Sequence, residues 1–460
     1  MRFKGCGKST VYKDCRTVVY SFQRGALFYA YILYPSPQVE RACRRHGRLV
    51  ACLRGAKEDF KPPRIRGLFC LEELLNMEQR IFCPQGYRDE LYPRSLRRRR
   101  MEMRITEYLA GSGYQMVDTP EVEYYDLYAR YDMPVGQEQM VKFVDSTGRL
   151  VVLRPDFTLP AARIMSSALS ARRTPIKLFY TGRVYRVGGR GGEVSSGQTG
   201  GEIYGESGIW PAAECIMTIW GAMERCGVSD FKVELGDVDI ARGLLREAGV
   251  PEAELPGALR AIDEKNAVEL ARLMSGLNLT PEKARLILEL PFLIGDPLTV
   301  TERFRMLGGN PDSCERLLTL CEQLRQSGLG ERVILDLGMH PKFDYYTGLV
   351  FRGYAEGAAD LVFAGGCYDS LLRLLGRDMT ACGFALYTDR IFEAARVRGA
   401  PERRVLLLYG EGGFAQAHAR ARLLASLDVP TLTVPAEDVK DPTTYMAENG
   451  CDTVERYGDL

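Results

Sequence analysis

Six short motifs in this 460-residue chain concentrate residue types that bind small, charged molecules. In chain order they read LRPDFT at 153–158, VYR at 184–186, QTGGE at 198–202, FDYYTG at 343–348, GGCYD at 365–369 and GFALYTDR at 383–390. Carboxylates such as Asp156 and Glu202 pair with ammonium groups, while hydroxyls and phenols form hydrogen bonds with nitrogen heterocycles. The guanidinium groups of Arg186 and Arg390 are suited to phosphates. These residue types therefore fit a site for a small molecule that carries both positive and negative charge.

Each of these residues, taken singly, also fits a polar strand end or an aromatic position in an apolar core. Thirteen cysteines include no Cys-x-x-Cys pair, and the chain has three histidines. These counts predict free thiols with no metal site and no disulfide framework, as expected of a cytoplasmic protein. The longest apolar run near the N-terminus, 26–34, has nine residues, whereas a bilayer span needs about 20. We therefore expect no membrane segment.

The elements that must position the motifs follow from hydrophobic periodicity and turn residues. Helices are predicted at 93–110, 211–226 and 382–395, with a region that is helical throughout at about 239–330. Strands are predicted at 114–119, 150–153, 176–186, 333–337, 349–354 and 361–364. Seven glycines within 188–201 predict a flexible loop between two strands. Near the C-terminus, a short β-α-β unit is predicted at 405–408, 415–427 and 431–434.

The six motifs, in this order over about residues 77–395, resemble the histidyl-tRNA synthetase lineage of class II synthetase folds. The stretch DYYTG at 344–348 is the signature of the histidine-recognising branch. The resemblance implies an α+β fold, a class II aminoacyl-tRNA synthetase-like core with an antiparallel sheet of about six strands flanked by helices. It divides the chain into an N-terminal extension at 1–76, a core at 77–400 with a helical insertion at about 239–330, and a small C-terminal α/β domain. That last domain, at 401–460, resembles a truncated anticodon-binding domain.

The resemblance also implies which residues bind histidine. In the family, the amino group is held by the acid and the threonine of one motif, and by a glutamine and a glutamate that follow a mobile loop. A tyrosine pair completes the pocket. The matching positions of this chain are Asp156, Thr158, Gln198, Glu202, Tyr345 and Tyr346.

The nucleotide half of the family's site is only partly present. Arg186 and Arg390 match the arginines that meet ATP phosphates in synthetases, and they are expected to be remnants of the nucleotide site. At four other positions this chain lacks the side chain that synthetases use with ATP. Gly188 stands in place of the glutamate that reads adenine, and Val194 and Gly192 stand in place of two loop arginines. Pro341 stands in place of the arginine that stabilises the activated carboxylate. Proline offers no hydrogen-bond donor. This pattern predicts a histidine-binding protein with no catalytic residues and no cofactor.

This combination resembles the ATP phosphoribosyltransferase regulatory subunits, synthetase paralogues that partner the short-form catalytic subunit in the first step of histidine biosynthesis. The resemblance implies a non-catalytic subunit that the catalytic subunit needs for activity and for feedback inhibition by histidine. It also implies a homodimeric core within a hetero-oligomer. Two alternatives stay open, namely a true histidyl-tRNA synthetase and a stand-alone histidine sensor.

Charge is distributed unevenly along the chain. Residues 1–76 hold 15 Lys and Arg against 6 Asp and Glu, so the remaining residues carry a net charge of −8. An acidic body disfavours tRNA and DNA as partners, because Lys and Arg supply most of the affinity for phosphates. Residues 1–76 are also rich in cysteine and aperiodic, and the family-like region begins at Met77. We therefore expect Met77 to be the true first residue, which the intact mass of the natively expressed protein would test.

Overall fold

The computed structural model describes residues 83–129, 135–189, 192–340, 345–395 and 404–459. The extension at 1–76 and Pro341 lie outside these residues. The helices are α1 (Arg94–Gly111), α2 (Tyr125–Ala129), α3 (Thr158–Ser166), α4 (Trp210–Arg225), α5 (Val238–Glu247), α6 (Leu255–Asp263), α7 (Ala267–Met274), α8 (Pro281–Glu289), α9 (Pro297–Met306), α10 (Glu315–Gln326), α11 (Asp369–Leu374), α12 (Thr388–Ala395), α13 (Phe414–Ser426) and α14 (Pro442–Asn449).

The strands form three sheets. They are β1 (Gln115–Met116), β2 (Val122–Tyr124), β3 (Lys142–Val144), β4 (Leu150–Leu153), β5 (Ile176–Tyr185), β6 (Ser195–Tyr204), β7 (Phe231–Asp237), β8 (Ile294–Gly295), β9 (Val333–Asp336), β10 (Leu349–Ala355), β11 (Phe363–Cys367), β12 (Ala381–Tyr387), β13 (Val405–Tyr409), β14 (Thr431–Pro435) and β15 (Thr453–Tyr457). The strand predicted at 114–119 is therefore confined to Gln115 and Met116.

The largest sheet has nine strands in the order β1-β5-β6-β12-β11-β10-β7-β9-β8. Its six central strands, from β5 to β7, are antiparallel throughout. This confirms the predicted antiparallel sheet of about six strands. Strands β1 and β9 are added in parallel to β5 and β7. Side chains alternate between two apolar clusters, so that Phe179 and Ile203 pack with α1 and α4 while Leu178 and Tyr204 face the opposite side.

The glycine-rich stretch at 188–201 is not a single loop, because its second half belongs to β6. The glycines are required there by close packing between neighbouring strands. A Cβ on Gly200 would lie 2.4 Å from the carbonyl oxygen of Phe384, and one on Gly201 would lie 2.8 Å from the ring of Phe384. The prediction of a flexible loop was wrong for this segment because glycine composition also marks close backbone approach.

The helix predicted at 382–395 is a strand followed by a helix, β12 and then α12. The residues of β12 form a buried apolar run in which apolar and polar residues do not alternate. Periodicity alone cannot distinguish such a strand from a buried helix. Gly383, in β12, faces Glu202 of β6 so closely that no side chain fits between them.

The insertion predicted as helical throughout consists of six helices, α5 to α10, and one short strand. Four of these helices begin at a side-chain cap, and Thr280 is one of them as predicted, because its hydroxyl accepts from the Lys283 N–H at 3.3 Å. The exception is β8, where Ile294 and Gly295 pair with the end of β9. The insertion is therefore joined to the edge of the main sheet by backbone hydrogen bonds.

The last described segment contains the predicted β-α-β unit and one further strand and helix. Strands β14, β13 and β15 form a parallel sheet on which α13 packs. Among the described residues, no helix combines the length and the hydropathy needed to cross a bilayer.

Candidate functional site

A narrow cavity opens on one face of the central strands, and it collects every residue predicted to bind histidine. Its free volume is about 30 Å³, room for a water molecule or two, so a larger ligand enters only when lining side chains move. The lining residues are Asp156, Thr158, Arg186, Gln198, Glu202, Tyr345, Tyr346, Ala364, Tyr368, Gly383, Phe384, Ala385 and Tyr387.

Three neighbouring elements supply the polar side chains. Asp156 lies in the turn between β4 and α3, and Thr158 is the first residue of α3. Gln198 and Glu202 are four residues apart on β6, so that the alternation of a strand brings both to the same face. The tyrosine pair precedes β10, with ring centroids 4.8 Å apart. Residues distant in the sequence therefore meet in one cavity beside β6.

Glu202 is the most deeply buried carboxylate of the cavity. Its Oε1 accepts a hydrogen bond from the Tyr180 hydroxyl at 2.9 Å, and its Oε2 accepts one from Tyr368 at 2.5 Å. Burial raises the pKa of Glu202 to about 7, although hydroxyl donors, Thr158 among them, oppose this effect. The carboxylate is thus held by neutral phenols, and a positive charge or N–H donor brought by a ligand would stabilise its ionised form.

Asp156 is the second carboxylate of the cavity. Its Oδ1 accepts from the Leu159 N–H at 2.9 Å, whereas its Oδ2 is buried without a hydrogen-bond partner among the described residues. Burial raises the pKa of Asp156, and the Arg186 guanidinium opposes that rise. Arg186 itself donates from Nε to the Pro155 carbonyl at 2.7 Å. The unpaired oxygen gives the cavity an acceptor that can take an additional donor.

The tyrosines around these carboxylates remain protonated donors. Burial raises the pKa of Tyr345 and of Tyr346 above the ordinary value, and the nearby carboxylates add to the effect. The ring of Tyr345 also lies 5.8 Å from that of Tyr368, in an edge-to-face arrangement. The cavity therefore presents neutral hydroxyls and two acidic groups to its interior.

Two residues whose hydroxyls hold the Glu202 carboxylate were not predicted from the sequence, Tyr180 and Tyr368. Tyr368 lies within the GGCYD motif, and its place in that motif could have indicated it as a residue of the cavity. Tyr180 lies in a strand that was predicted, but its contact with Glu202 depends on the register of β5 against β6.

The two arginines predicted to be remnants of a nucleotide site have different surroundings in the structure. Arg186 lines the cavity, but Arg390 does not. Arg390 donates from Nη1 to the Leu361 carbonyl at 2.7 Å and lies 4.4 Å from the centre of the Tyr387 ring. Gly188 and Gly192 adopt positive φ angles of 74° and 82° in the connection between β5 and β6. Glycines in left-handed conformation thus occupy two positions where the synthetase pattern has long side chains.

No group of three or more His, Cys, Asp and Glu side chains within the described ranges is arranged to hold a metal ion.

The comparisons with known proteins agree with the fold described above. The histidyl-tRNA synthetase family model matches residues 86–391. A histidyl-tRNA synthetase from Nostoc has the same fold, with a TM-score of 0.66 and 16% identity over 80% of this chain and 89% of that one. The protein is therefore a histidyl-tRNA synthetase-like member of the class II synthetase fold.

Closer relatives define the family within that class. An ATP phosphoribosyltransferase regulatory subunit from Clostridium acetobutylicum is 35% identical over 70% of this chain and 80% of its own length. One from Ruminiclostridium cellulolyticum is 32% identical over 82% and 90%. The structure of an ATP phosphoribosyltransferase regulatory subunit/histidyl-tRNA synthetase from Bacillus halodurans matches with a TM-score of 0.73 and 28% identity, covering 83% of this chain and 99% of that one. The chain belongs to the ATP phosphoribosyltransferase regulatory subunit family, whose role lies in histidine biosynthesis.

Proposed function

We propose that this chain is the non-catalytic, histidine-sensing subunit of an ATP phosphoribosyltransferase. A short-form catalytic subunit needs it for activity, and histidine bound to it inhibits the complex. The observation that carries the proposal is the pair of buried carboxylates, Glu202 and Asp156, that face one cavity with neutral tyrosines around them. The names of the relatives support the assignment to this complex.

The cavity offers complementary groups to each part of histidine. Asp156 and Glu202 are acceptors for its ammonium and ring N–H groups, and charge-assisted hydrogen bonds in a buried site are the strong ones. The hydroxyls of Tyr345 and Tyr346 can accept from or donate to the imidazole. Arg186 supplies positive charge for the ligand's carboxylate. The lining is therefore better suited to an amphoteric amino acid than to a simple cation or anion.

The loss of ATP chemistry is supported by the nucleotide side of the site. Gly188 and Gly192 carry no side chain to read adenine or meet phosphate, and Arg390 donates to a backbone carbonyl outside the cavity. Arg186, which does line the cavity, is the observation that favours the alternative of a true histidyl-tRNA synthetase. Histidine-dependent ATP–pyrophosphate exchange discriminates, because a synthetase catalyses it and a regulatory subunit does not.

The partners are part of the same proposal. The core forms a homodimer through the region around residues 114–120, as class II cores usually do, and this dimer assembles with the catalytic subunit. The net charge of −8 on residues 77–460 argues against tRNA as a partner. Co-purification with the short-form catalytic subunit supports this assignment, and its failure favours a stand-alone histidine sensor.

The deciding experiment measures phosphoribosyltransferase activity of the catalytic subunit with and without this chain, across a histidine titration. Calorimetric titration of histidine into this chain alone, and then into the complex, locates the binding site. We expect activity and histidine sensitivity to require this chain. A catalytic subunit that is equally active and equally inhibited in its absence contradicts the proposal.

A further inference from the structure

The serine that follows the GGCYD motif holds the backbone of the tyrosine pair. Ser370 is the second residue of α11, and its hydroxyl donates to the Tyr345 carbonyl at 2.9 Å. Tyr345 lines the cavity, whereas Ser370 lies outside its lining. A side chain that does not face the ligand space therefore fixes the backbone from which a cavity tyrosine projects.

The DYYTG and GGCYD motifs are joined by two more hydrogen bonds. Thr347 donates from its N–H to the Cys367 carbonyl at 2.7 Å, and its Oγ1 accepts from the Asp369 N–H at 3.1 Å. Asp369 is in turn fastened to β12, because its Oδ1 accepts from the Ala381 N–H at 2.9 Å. The DYYTG motif is thus anchored at Thr347 by backbone groups and, two residues earlier, by the Ser370 hydroxyl.

The phenol of Tyr345 lies among the groups proposed to receive the ligand. Its ring is edge-to-face with that of Tyr368, whose hydroxyl holds Glu202, and the two ring centroids are 5.8 Å apart. The Tyr345 hydroxyl also interacts with the hydroxyls of Thr158 and Tyr346. A shift of the Tyr345 backbone would therefore displace its phenol relative to Thr158 and Tyr368.

We propose that Ser370 is a positioning residue of the amino-acid site, which holds the Tyr345 phenol where it forms a hydrogen bond with the imidazole of the ligand. Without the Ser370 hydroxyl the tyrosine segment can take other positions, and only the molecules with the phenol in place bind histidine fully. The apparent affinity falls in proportion to their fraction. This role rests on the proposed function, because it needs an amino acid in the cavity.

The test is Ser370→Ala, which removes the donor from a half-buried position without adding bulk. One ordinary hydrogen bond sets the scale, so we expect the dissociation constant of histidine, measured by calorimetry, to rise about fivefold. Ser370→Thr keeps a hydroxyl and should bind histidine within about twofold of wild type. An unchanged dissociation constant in Ser370→Ala would overturn the proposal, and so would equal weakening in Ser370→Thr.

The matched control is Ser112→Ala. Ser112, directly after α1, is also half-buried, and its hydroxyl donates to the Tyr108 carbonyl at 2.8 Å. Both alanine variants should lower the melting temperature of the ligand-free chain by similar small amounts, but Ser112→Ala should leave histidine affinity unchanged. Equal loss of affinity in the two variants would trace the effect to general stability and would overturn the proposal.

A double variant tests whether Ser370 acts through the Tyr345 phenol. Tyr345→Phe removes the hydroxyl that meets the ligand and keeps the ring. Adding Ser370→Ala to it should weaken histidine binding by less than about twofold further, because the two changes remove the same interaction. Additive losses would reject the role, since a merely structural serine weakens binding equally in both backgrounds.

Failure of the proposed function would be visible separately, as absence of histidine binding to the wild-type chain and complex. The positioning of the tyrosine segment is then measured without ligand, by hydrogen exchange of the Thr347 and Asp369 amides. Ser370→Ala should speed their exchange about fivefold, because the segment opens more often, whereas Ser112→Ala should not. Unchanged exchange in Ser370→Ala rejects the role of Ser370.

Discussion

Replacing Glu202 with glutamine should make the ligand-free chain more stable while weakening histidine binding. The amide keeps the size and planar shape of the carboxylate but cannot ionise. The hydroxyls of Tyr180 and Tyr368, at 2.9 and 2.5 Å from the two carboxylate oxygens, keep their partners because an amide both accepts and donates. The substitution therefore changes the charge with little change in packing.

The magnitude follows from the raised pKa of Glu202, about 7 against an ordinary 4.5. Below pH 4.5 the carboxyl is protonated in both the folded and the unfolded chain and contributes nothing. Between pH 4.5 and pH 7 the carboxyl ionises in the unfolded chain but stays protonated in the folded chain, so the free energy of unfolding falls as the pH rises. The loss is complete above pH 7, at about 3 kcal/mol. Glutamine removes this loss, which corresponds to a melting temperature about 3 °C higher at pH 8 and nearly unchanged at pH 5.

The assay is thermal unfolding of the full chain from pH 5 to pH 9, followed by histidine titration at pH 8. Removing the negative charge that faces a buried N–H donor should cost about 2–5 kcal/mol of affinity, a factor of about 30 or more. Glu234→Gln is the matched control, because Glu234 is also buried but accepts from Arg352 Nε at 2.6 Å. Breaking this ion pair should lower the melting temperature at pH 8.

Two results would refute the reasoning. A melting temperature below that of wild type at pH 8 would mean that the buried carboxylate is not a source of instability. Unchanged histidine affinity, or full histidine sensitivity of the complex, would mean that the inherited cavity is vestigial and that regulation lies at the interface with the partner.

Other substitutions and conditions test the same site. Glu202→Ala or Tyr346→Ala should relieve histidine inhibition and leave assembly intact, as measured by activity at saturating histidine and by size-exclusion chromatography. Histidine affinity of the wild-type chain should rise about tenfold from pH 6 to pH 8 as Glu202 ionises, and a flat profile would contradict its raised pKa. Tyr368→Phe removes a donor that lowers this pKa, so the midpoint of that profile should move to higher pH. Arg186→Ala should weaken binding less than Glu202→Ala, because the Arg186 guanidinium is also engaged by the Pro155 carbonyl and by the charge of Asp156, and calorimetry of both variants ranks them.

The sequence predicted the antiparallel sheet and the composition of the cavity better than it predicted local structure. Gln198 and Glu202 were assigned by motif position, yet the segment at 188–201, which holds Gln198 and ends directly before Glu202, was interpreted as a loop. Its glycines indicate flexibility in isolation, and only the packing of β6 against β12 shows that Gly200 and Gly201 make room for neighbours. Local composition cannot report a contact made by a strand about 180 residues further along the chain.

At the site, too, the features that the sequence did not predict depend on tertiary packing. Tyr180 was placed in a strand, but its hydrogen bond to Glu202 was not predicted, because Glu202 lies across the hairpin and the register was unknown. Arg390 was grouped with Arg186 by motif, yet its side chain turns to the Leu361 carbonyl. Residue identity predicts which chemistry is available, whereas direction and partner depend on tertiary packing.

The small free volume of the cavity, about 30 Å³, has a consequence for the timing of regulation. In the proposed regulation, histidine needs more room than this space offers, so each binding event waits until lining side chains move apart. Association that requires such a rearrangement is slower than diffusion. When opening limits the rate, the observed association rate levels off as histidine concentration rises. The delay between a surplus of histidine and the shutdown of its synthesis would then be set by the lifetime of the closed cavity rather than by the supply of histidine.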